Sequence, residues 1–192
     1  QRRYGVDEPD YGHLLDNMER KLGKPVSMDG LFKPKIETEL AFILKHELRG
    51  PGVTVEDVYD ATEYVVPSFE IIDCRISDWR IKTADTVADN ASACLFLLGE
   101  QKFTIQDIDL PSIKVDLYKN GAHIMTGYGT DVLGNPAICV AWLANKLAEN
   151  NMALKAGEIV LSGALTAGTA IEKGDHVKAV FHPLGEMELR FI

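Results

Sequence analysis

The sequence has few of the features that mark secreted, zinc-binding or membrane proteins. It contains only three cysteines, Cys74, Cys94 and Cys139, which are widely spaced among apolar residues and form no Cys-x-x-Cys pair. This pattern argues against a disulfide framework and against zinc. The longest apolar runs, such as residues 138–143, are too short to span a bilayer, and we expect no signal peptide. We therefore expect a cytoplasmic protein with reduced thiols.

Extended basic segments are also absent. The chain carries 29 acidic and 20 basic residues, a formal net charge of -9. Without a cluster of Lys and Arg, a nucleic-acid partner is excluded. The same negative charge repels small anions at long range, so a site for an acidic substrate needs a local positive centre, which a metal ion can supply.

The pattern of apolar residues predicts many strands and few helices. Residues 35–44 alternate and residues 65–72 are β-branched and apolar, both typical of strands, and the Asn-Gly pair at 120–121 predicts a hairpin. Residues 136–149 are apolar at helical spacing, and Thr54 begins a shorter helix. Because strands and helices do not alternate strictly, we predict an α+β fold with a mixed or antiparallel sheet. The length of 192 residues suits one domain.

Three glutamates are the strongest candidates for chemistry. Glu37 and Glu39 stand two apart in a predicted strand, so their side chains point to one face and can converge on one ion. A solvated acidic face is the alternative for this pair. Glu70 lies inside an apolar strand, where an unpaired carboxylate is costly, so either a metal or a base such as Arg75 must satisfy it. Three oxygen ligands without His or Cys favour Mg²⁺ or Mn²⁺.

Two further segments have both a functional and a structural interpretation. Residues 78–92 are densely polar. Lys82 in this segment is a candidate to contact a substrate carboxylate or oxo group, or to carry a proton if its pKa is lowered. The alternative is a surface loop with helix caps. The small residues at 163–168 allow close approach to a ligand, although a tight turn without function is equally compatible.

Together with these residues, several segments carry a resemblance to a known family. The sequence resembles the hydratase/decarboxylase branch of the fumarylacetoacetate hydrolase superfamily over nearly all its length. The segments that carry it are 5–12, 34–42, 50–54, 69–76, 87–92, 140–145 and 190–192.

The resemblance implies both a fold and an activity. The fold is α+β, with a mixed sheet curled into a barrel-like roll and few helices. The activity is a divalent-metal-dependent addition of water to 2-hydroxypenta-2,4-dienoate (2-oxopent-4-enoate) or a close analogue, as in meta-cleavage catabolism of aromatic compounds. The product is a 4-hydroxy-2-oxo acid.

The resemblance also implies site residues. Glu37, Glu39 and Glu70 hold Mg²⁺ or Mn²⁺, and the substrate binds the ion through its carboxylate and 2-oxygen. Asp10 and Lys82 are the candidates for the acid–base steps, helped by Ser92.

Three alternative functions are compatible with the sequence. The first is the hydratase. The second is a 4-oxalocrotonate-type decarboxylase of the same branch or a C–C hydrolase of the superfamily. The third is a non-catalytic partner subunit. Decarboxylases of the branch usually lack the counterparts of Asp10 and Lys82, which favours hydration here.

We expect residues 1–192 to form one catalytic domain that lacks an N-terminal segment of the full-length protein. That segment carries an active-site lysine in the family. The expected partner is a small 2-oxo or 2-hydroxy-dienoic acid. We also expect a homo-oligomer, possible association with a decarboxylase of the same pathway, and neither nucleic acid nor membrane as a partner.

Overall fold

The structure is a computed structural model that describes residues 9–192, apart from the side chain of Thr83. Residues 9–192 form three α-helices and ten strands. The helices are α1 Val55–Ala61, α2 Thr83–Ala88 and α3 Pro136–Ala148. The strands are β1 Glu19–Arg20, β2 Lys35–Leu44, β3 Thr62–Ile72, β4 Ala93–Leu98, β5 Lys114–Lys119, β6 Ala122–Tyr128, β7 Ile159–Leu161, β8 Thr169–Ala170, β9 His176–His182 and β10 Gly185–Arg190.

The strands form two sheets. The first has the order β1-β4-β3-β2-β7, with β8 also pairing with β2, and only the short β1–β4 pair is parallel. The second is antiparallel, in the order β10-β9-β5-β6. The predicted α+β fold with a mixed sheet and few helices is therefore confirmed. No closed barrel is found among residues 9–192, so the barrel-like roll stays a prediction.

The predicted strand and helix positions agree with the observed elements to within a few residues. The hairpin β5–β6 turns at Asn120 and Gly121, which both adopt the positive φ that a two-residue hairpin loop favours. Thr54 begins α1 with a capping box, in which its hydroxyl accepts from the Asp57 backbone N–H while the Asp57 carboxylate accepts from Thr54. In the described part of the chain, no helix combines the length and the apolar character needed to cross a membrane.

One hydrophobic core joins the two sheets and α3. On one face of β2, Ile36, Leu40 and Phe42 point into this core and are fully buried. The opposite face of β2 carries Glu37 and Glu39 and then passes into a smaller apolar cluster of Ala41, Ile43 and Val66. The first sheet is thus buried on both faces, and its glutamates lie on the face away from the main core.

Asn145 on α3 fixes the loop that leads into α1. Its Oδ1 accepts from the backbone N–H groups of Gly52 and Val53 at 2.7 and 2.9 Å, and its Nδ2 donates to the Val53 carbonyl at 2.9 Å. Three bonds from one half-buried amide connect two elements that are distant in sequence. This contact holds α3 in place, and α3 supplies part of the wall of the cavity described below.

We predict that Asn145→Ala lowers the free energy of unfolding by about 1–3 kcal/mol, because two backbone donors and one acceptor lose their partner. Asn150→Ala is the matched control, since that exposed side chain should change the value by less than about 0.5 kcal/mol. Urea denaturation followed by circular dichroism measures both. Equal stabilities of the two variants would contradict the proposed role of Asn145.

Candidate metal centre and active site

The pairing of β2 with β3 brings the three glutamates together. Glu37 lies directly opposite Glu70, and Glu39 lies opposite Ser68, so all three carboxylates emerge on the same face. One oxygen from each carboxylate lies within 4.8 Å of one from each of the others. In the described part of the chain, this is the one group of three or more His, Cys, Asp or Glu side chains with such spacing.

Burial makes this cluster electrostatically unusual. Glu39 is 2% exposed, which excludes the solvated acidic face considered from the sequence. Burial raises the pKa of Glu37 to about 7, a shift that the nearby charge of Lys35 opposes. Burial and the charge of Glu37 raise the pKa of Glu70 to about 8. The pKa of Glu39 is raised well above its usual range by burial and then by Glu70.

Arg75 does not neutralise Glu70. Its guanidinium lies 3.4 Å from Asp89 and donates to the backbone carbonyls of Asp73 and Ala93. The alternative considered from the sequence, an ion pair of Glu70 with Arg75, is therefore wrong. Like charges directly opposite each other in a sheet destabilise it, so a cation of high charge density fits this arrangement of hard oxygen donors.

The loop at 163–168 contacts the glutamates directly. The Gly163 N–H donates to Glu39 Oε2 at 2.9 Å. A Cβ on Gly168 would lie 2.9 Å from Glu37 Oε1, so a larger residue here would displace the Glu37 carboxylate from its present position. The small residues at 163–168 therefore allow the backbone to lie close to the carboxylates of Glu37 and Glu39.

The glutamates line a cavity of about 950 Å³ between the first sheet, α3 and the segment that precedes β1. Asp10 and Ser92 also line it. Asp10 is half-buried and accepts a hydrogen bond from Thr86 Oγ1 at 2.6 Å. Ser92 is buried, and its hydroxyl donates to Asp89 at 2.9 Å.

Lys82 is placed differently from the other sequence-predicted residues. It is exposed at the N-cap of α2, and its backbone N–H donates to Asp85. It is not among the described residues that line the cavity. The structure therefore brings five of the six predicted site residues to one cavity, and the role of Lys82 stays a prediction.

Several residues of the cavity were not identified from the sequence. Thr86 and Trp142 line it, and so does Cys139, whose pKa burial raises to about 11. The three cysteines are free thiols, as predicted, although Cys139 and Cys94 are only partly buried. The position of Trp142 on the apolar face of α3 could have identified it from the sequence. The spacing of Thr86 gave no indication that it contacts Asp10.

Comparison with known proteins identifies the family of this chain. Residues 20–192 match the fumarylacetoacetate (FAA) hydrolase C-terminal family. The chain belongs to this family. Its fold matches that of the 4-oxalocrotonate decarboxylase from Pseudomonas putida G7 complexed with magnesium and adipate. The TM-score is 0.96 at 37% identity, over 100% of this chain and 73% of that one.

Two sequence relatives of this fumarylacetoacetate hydrolase-family chain are hydratases. It is 45% identical to 2-hydroxyhexa-2,4-dienoate hydratase of Comamonas testosteroni, over 100% of this chain and 73% of the relative. It is 50% identical to 2-hydroxypent-2,4-dienoate hydratase of Pseudomonas putida, over 77% of this chain and 67% of the relative.

The raised pKa values predict a coupling between protons and metal. Carboxylates must be deprotonated to bind a cation, so binding of Mn²⁺ near pH 7 should release protons, and affinity should rise as pH increases from about 6 to 8. Titration calorimetry in buffers of different ionisation enthalpy measures this release. Binding that is independent of pH over this range would contradict it.

The same shifts predict how the stability of the metal-free protein depends on pH. Because these folded-state pKa values lie above the ordinary value of 4.5, the folded state binds more protons than the unfolded state between about pH 4.5 and 8. The stability that these groups contribute is therefore complete below about pH 4.5, falls as pH rises above that value, and is lost by about pH 8. The thermal midpoint of wild type should fall from pH 6 to 8.5 more than that of Glu70→Gln.

Proposed function

We propose that this chain is the catalytic domain of a divalent-metal-dependent hydratase. It adds water to 2-hydroxypenta-2,4-dienoate or a close analogue and forms a 4-hydroxy-2-oxo acid, in meta-cleavage catabolism of aromatic compounds. The observation that carries this proposal is the Glu37/Glu39/Glu70 cluster, with Glu39 buried, on a cavity wall shared with Asp10. Two dienoate hydratases at 45% and 50% identity support the choice of reaction.

Glu37, Glu39 and Glu70 are proposed to hold Mg²⁺ or Mn²⁺. The set contains only carboxylate oxygens, which hard cations prefer. Magnesium is present in the structure of the decarboxylase relative. When bound, the ion supplies Lewis-acid stabilisation of the negative charge that develops on the 2-oxygen of the acid.

The protein residues then have to move protons along the carbon chain. The 2-hydroxyl group loses its proton while C5 gains one, which gives the conjugated 2-oxo-3-enoate. Water then adds its OH group at C4, and its remaining proton is taken up at C3 as the 2-oxo group re-forms. Asp10 is proposed to carry the proton at the C5 end, because its carboxyl group lines the same cavity as the glutamates and is not one of the proposed ligands. General acid–base help of this kind contributes about 10² to 10⁴-fold.

Fewer structural observations support catalytic roles for Ser92 and Lys82 than for Asp10. The Ser92 hydroxyl gives its proton to Asp89, so its oxygen lone pairs are what it offers to the cavity. It is proposed to accept a hydrogen bond from the attacking water. A role for Lys82 requires α2 to bring the exposed amine towards the cavity, and that role is proposed only as a secondary acid–base group.

Decarboxylation of a 4-oxalocrotonate-type acid is the second candidate. A TM-score of 0.96 to a decarboxylase means that the fold does not separate the two reactions. Loss of CO₂ needs the electron sink but no proton carrier at the far end of the diene. The presence of Asp10 on the cavity wall therefore favours hydration. C–C hydrolysis and a non-catalytic subunit have no comparable observation in their favour.

The substrate, assembly and location complete the proposal. The proposed substrate is a small 2-oxo or 2-hydroxy-dienoic acid, in line with the names of the relatives. We propose a cytoplasmic homo-oligomer that can associate with a decarboxylase of the same pathway, as expected for a step in bacterial aromatic catabolism.

We predict that the protein incubated with 2-hydroxypenta-2,4-dienoate and Mn²⁺ yields a product heavier by one water, identified by mass spectrometry. Glu39→Gln should lower the metal-dependent turnover by at least about 10²-fold, because it removes a buried ligand. Release of CO₂ from 4-oxalocrotonate, with no hydration of the dienoate, would overturn the assignment.

The variant Asp10→Asn tests the proposed proton transfer by Asp10 independently of metal binding. The variant should lower kcat strongly, by about 10² to 10⁴-fold, and leave the affinity for Mn²⁺ nearly unchanged. Asp29→Asn, at an exposed position outside the cavity, is the matched control and should behave as wild type. Hydration by Asp10→Asn at the wild-type rate would refute the role of Asp10.

A further inference from the structure

The backbone around Asp10 is anchored on both sides of the cavity. The Tyr11 ring packs edge-on against Trp142 of α3, with centroids 6.2 Å apart. A Cβ on Gly12 would lie 2.4 Å from the Asn90 carbonyl oxygen, so glycine is needed for the backbones to meet. The Asn90 side chain then accepts from the His13 N–H at 2.7 Å and donates to the His13 carbonyl at 2.9 Å.

The turn at residues 90–92, which contacts segment 9–13, has an unusual backbone conformation. Asn90, Ala91 and Ser92 all have φ between 55° and 58°, the left-handed region that residues with a side chain rarely adopt. Three such residues in succession carry a free-energy cost that surrounding contacts must offset. Here the contacts are those of Asn90 with His13 and of Ser92 with Asp89. Segment 9–13 is therefore held against this turn by hydrogen bonds of Asn90.

The carboxylate of Asp10 is fixed by one hydroxyl group. Thr86 is 2% exposed in α2 and donates from Oγ1 to Asp10 Oδ2 at 2.6 Å. Charge-assisted bonds of this length are the stronger ones in proteins. Oδ1 of Asp10 has no hydrogen bond among residues 9–192. With one oxygen held, the other is the atom that remains for a ligand.

We propose that Thr86 is a positioning residue, whose hydroxyl orients the Asp10 carboxylate so that Oδ1 faces the reacting carbon chain. This inference rests on the proposed function of Asp10. The side chain of an aspartate attached to a loop otherwise rotates about two bonds. A misplacement of about 1 Å at a reacting group costs on the order of 10²-fold in rate.

Thr86→Val removes the hydroxyl and keeps the shape. We expect kcat for hydration of 2-hydroxypenta-2,4-dienoate to fall by about 10 to 10²-fold, with KM and the affinity for Mn²⁺ within about threefold of wild type. Thr86→Ser keeps the hydroxyl and should retain most of the activity. Thr62→Val is the matched control, since Thr62 is equally buried and donates to the Val58 carbonyl at 2.6 Å outside the cavity.

Combination with Asp10→Asn distinguishes positioning from a general structural effect. If Thr86 acts through Asp10, the double variant Asp10→Asn/Thr86→Val should be no slower than Asp10→Asn alone. Equal turnover of Thr86→Val and wild type would overturn the proposal. So would a further tenfold loss in the double variant. Should Thr86→Val fail to fold, Thr86→Ala takes its place in the same cycle.

A readout that needs no turnover keeps this test separate from the proposed function. The Thr86 hydroxyl holds Oδ2 of Asp10, so the Asp10 carboxylate in a crystal structure of Thr86→Val should leave the orientation that it has in wild type and in Thr86→Ser. An unchanged orientation in Thr86→Val overturns the positioning role. Wild-type protein that does not hydrate the dienoate overturns the proposed function, while the structural comparison still decides the role of Thr86.

Discussion

The repulsion among three neighbouring carboxylates, one buried and two half-buried, is the interaction that the rest of the site depends on. Strand pairing places Glu37 directly opposite Glu70, and Glu39 next to both on the same face. A sheet that gained only from packing would carry apolar residues here, as the neighbouring Ala41 and Val66 do. The fold holds the three groups together at a cost, and either protons or a cation must reduce that cost.

Neighbouring groups offset part of the negative charge of the three glutamates. The Gly163 N–H reaches Glu39, and Lys35 lies close enough to oppose the pKa shift of Glu37. These contacts offset part of the repulsion, yet the pKa values of Glu37 and Glu70 remain at about 7 and 8. A divalent cation neutralises more charge than these neighbours do, which is why the site is interpreted as a metal centre.

The sequence predicted the parts of the site that depend on local pattern. The spacing of Glu37 and Glu39 within an alternating strand is a local property, and so is the apolar context of Glu70. The pairing register that sets Glu37 against Glu70 is not, because it depends on how β3 packs between β2 and β4. The separation of the strands into two sheets is equally a property of the whole chain.

Residues that act through distant contacts were the least predictable. Thr86 meets Asp10 across 76 positions, and Asn145 meets Val53 across 92. Neither contact leaves a periodic trace in the sequence. The exposed position of Lys82 was equally hard to predict. It depends on the orientation of the short helix α2, in which Thr86 and not Lys82 lines the cavity.

The most direct test of the account is anomalous diffraction from crystals of the protein grown with Mn²⁺. The account predicts one strong anomalous peak with an oxygen of Glu37, Glu39 and Glu70 each at about 2.0–2.6 Å. Crystals of Glu70→Gln should show a weaker peak or none. A peak elsewhere in the chain, or three glutamates that stay metal-free at millimolar Mn²⁺ and pH 8, would contradict the account.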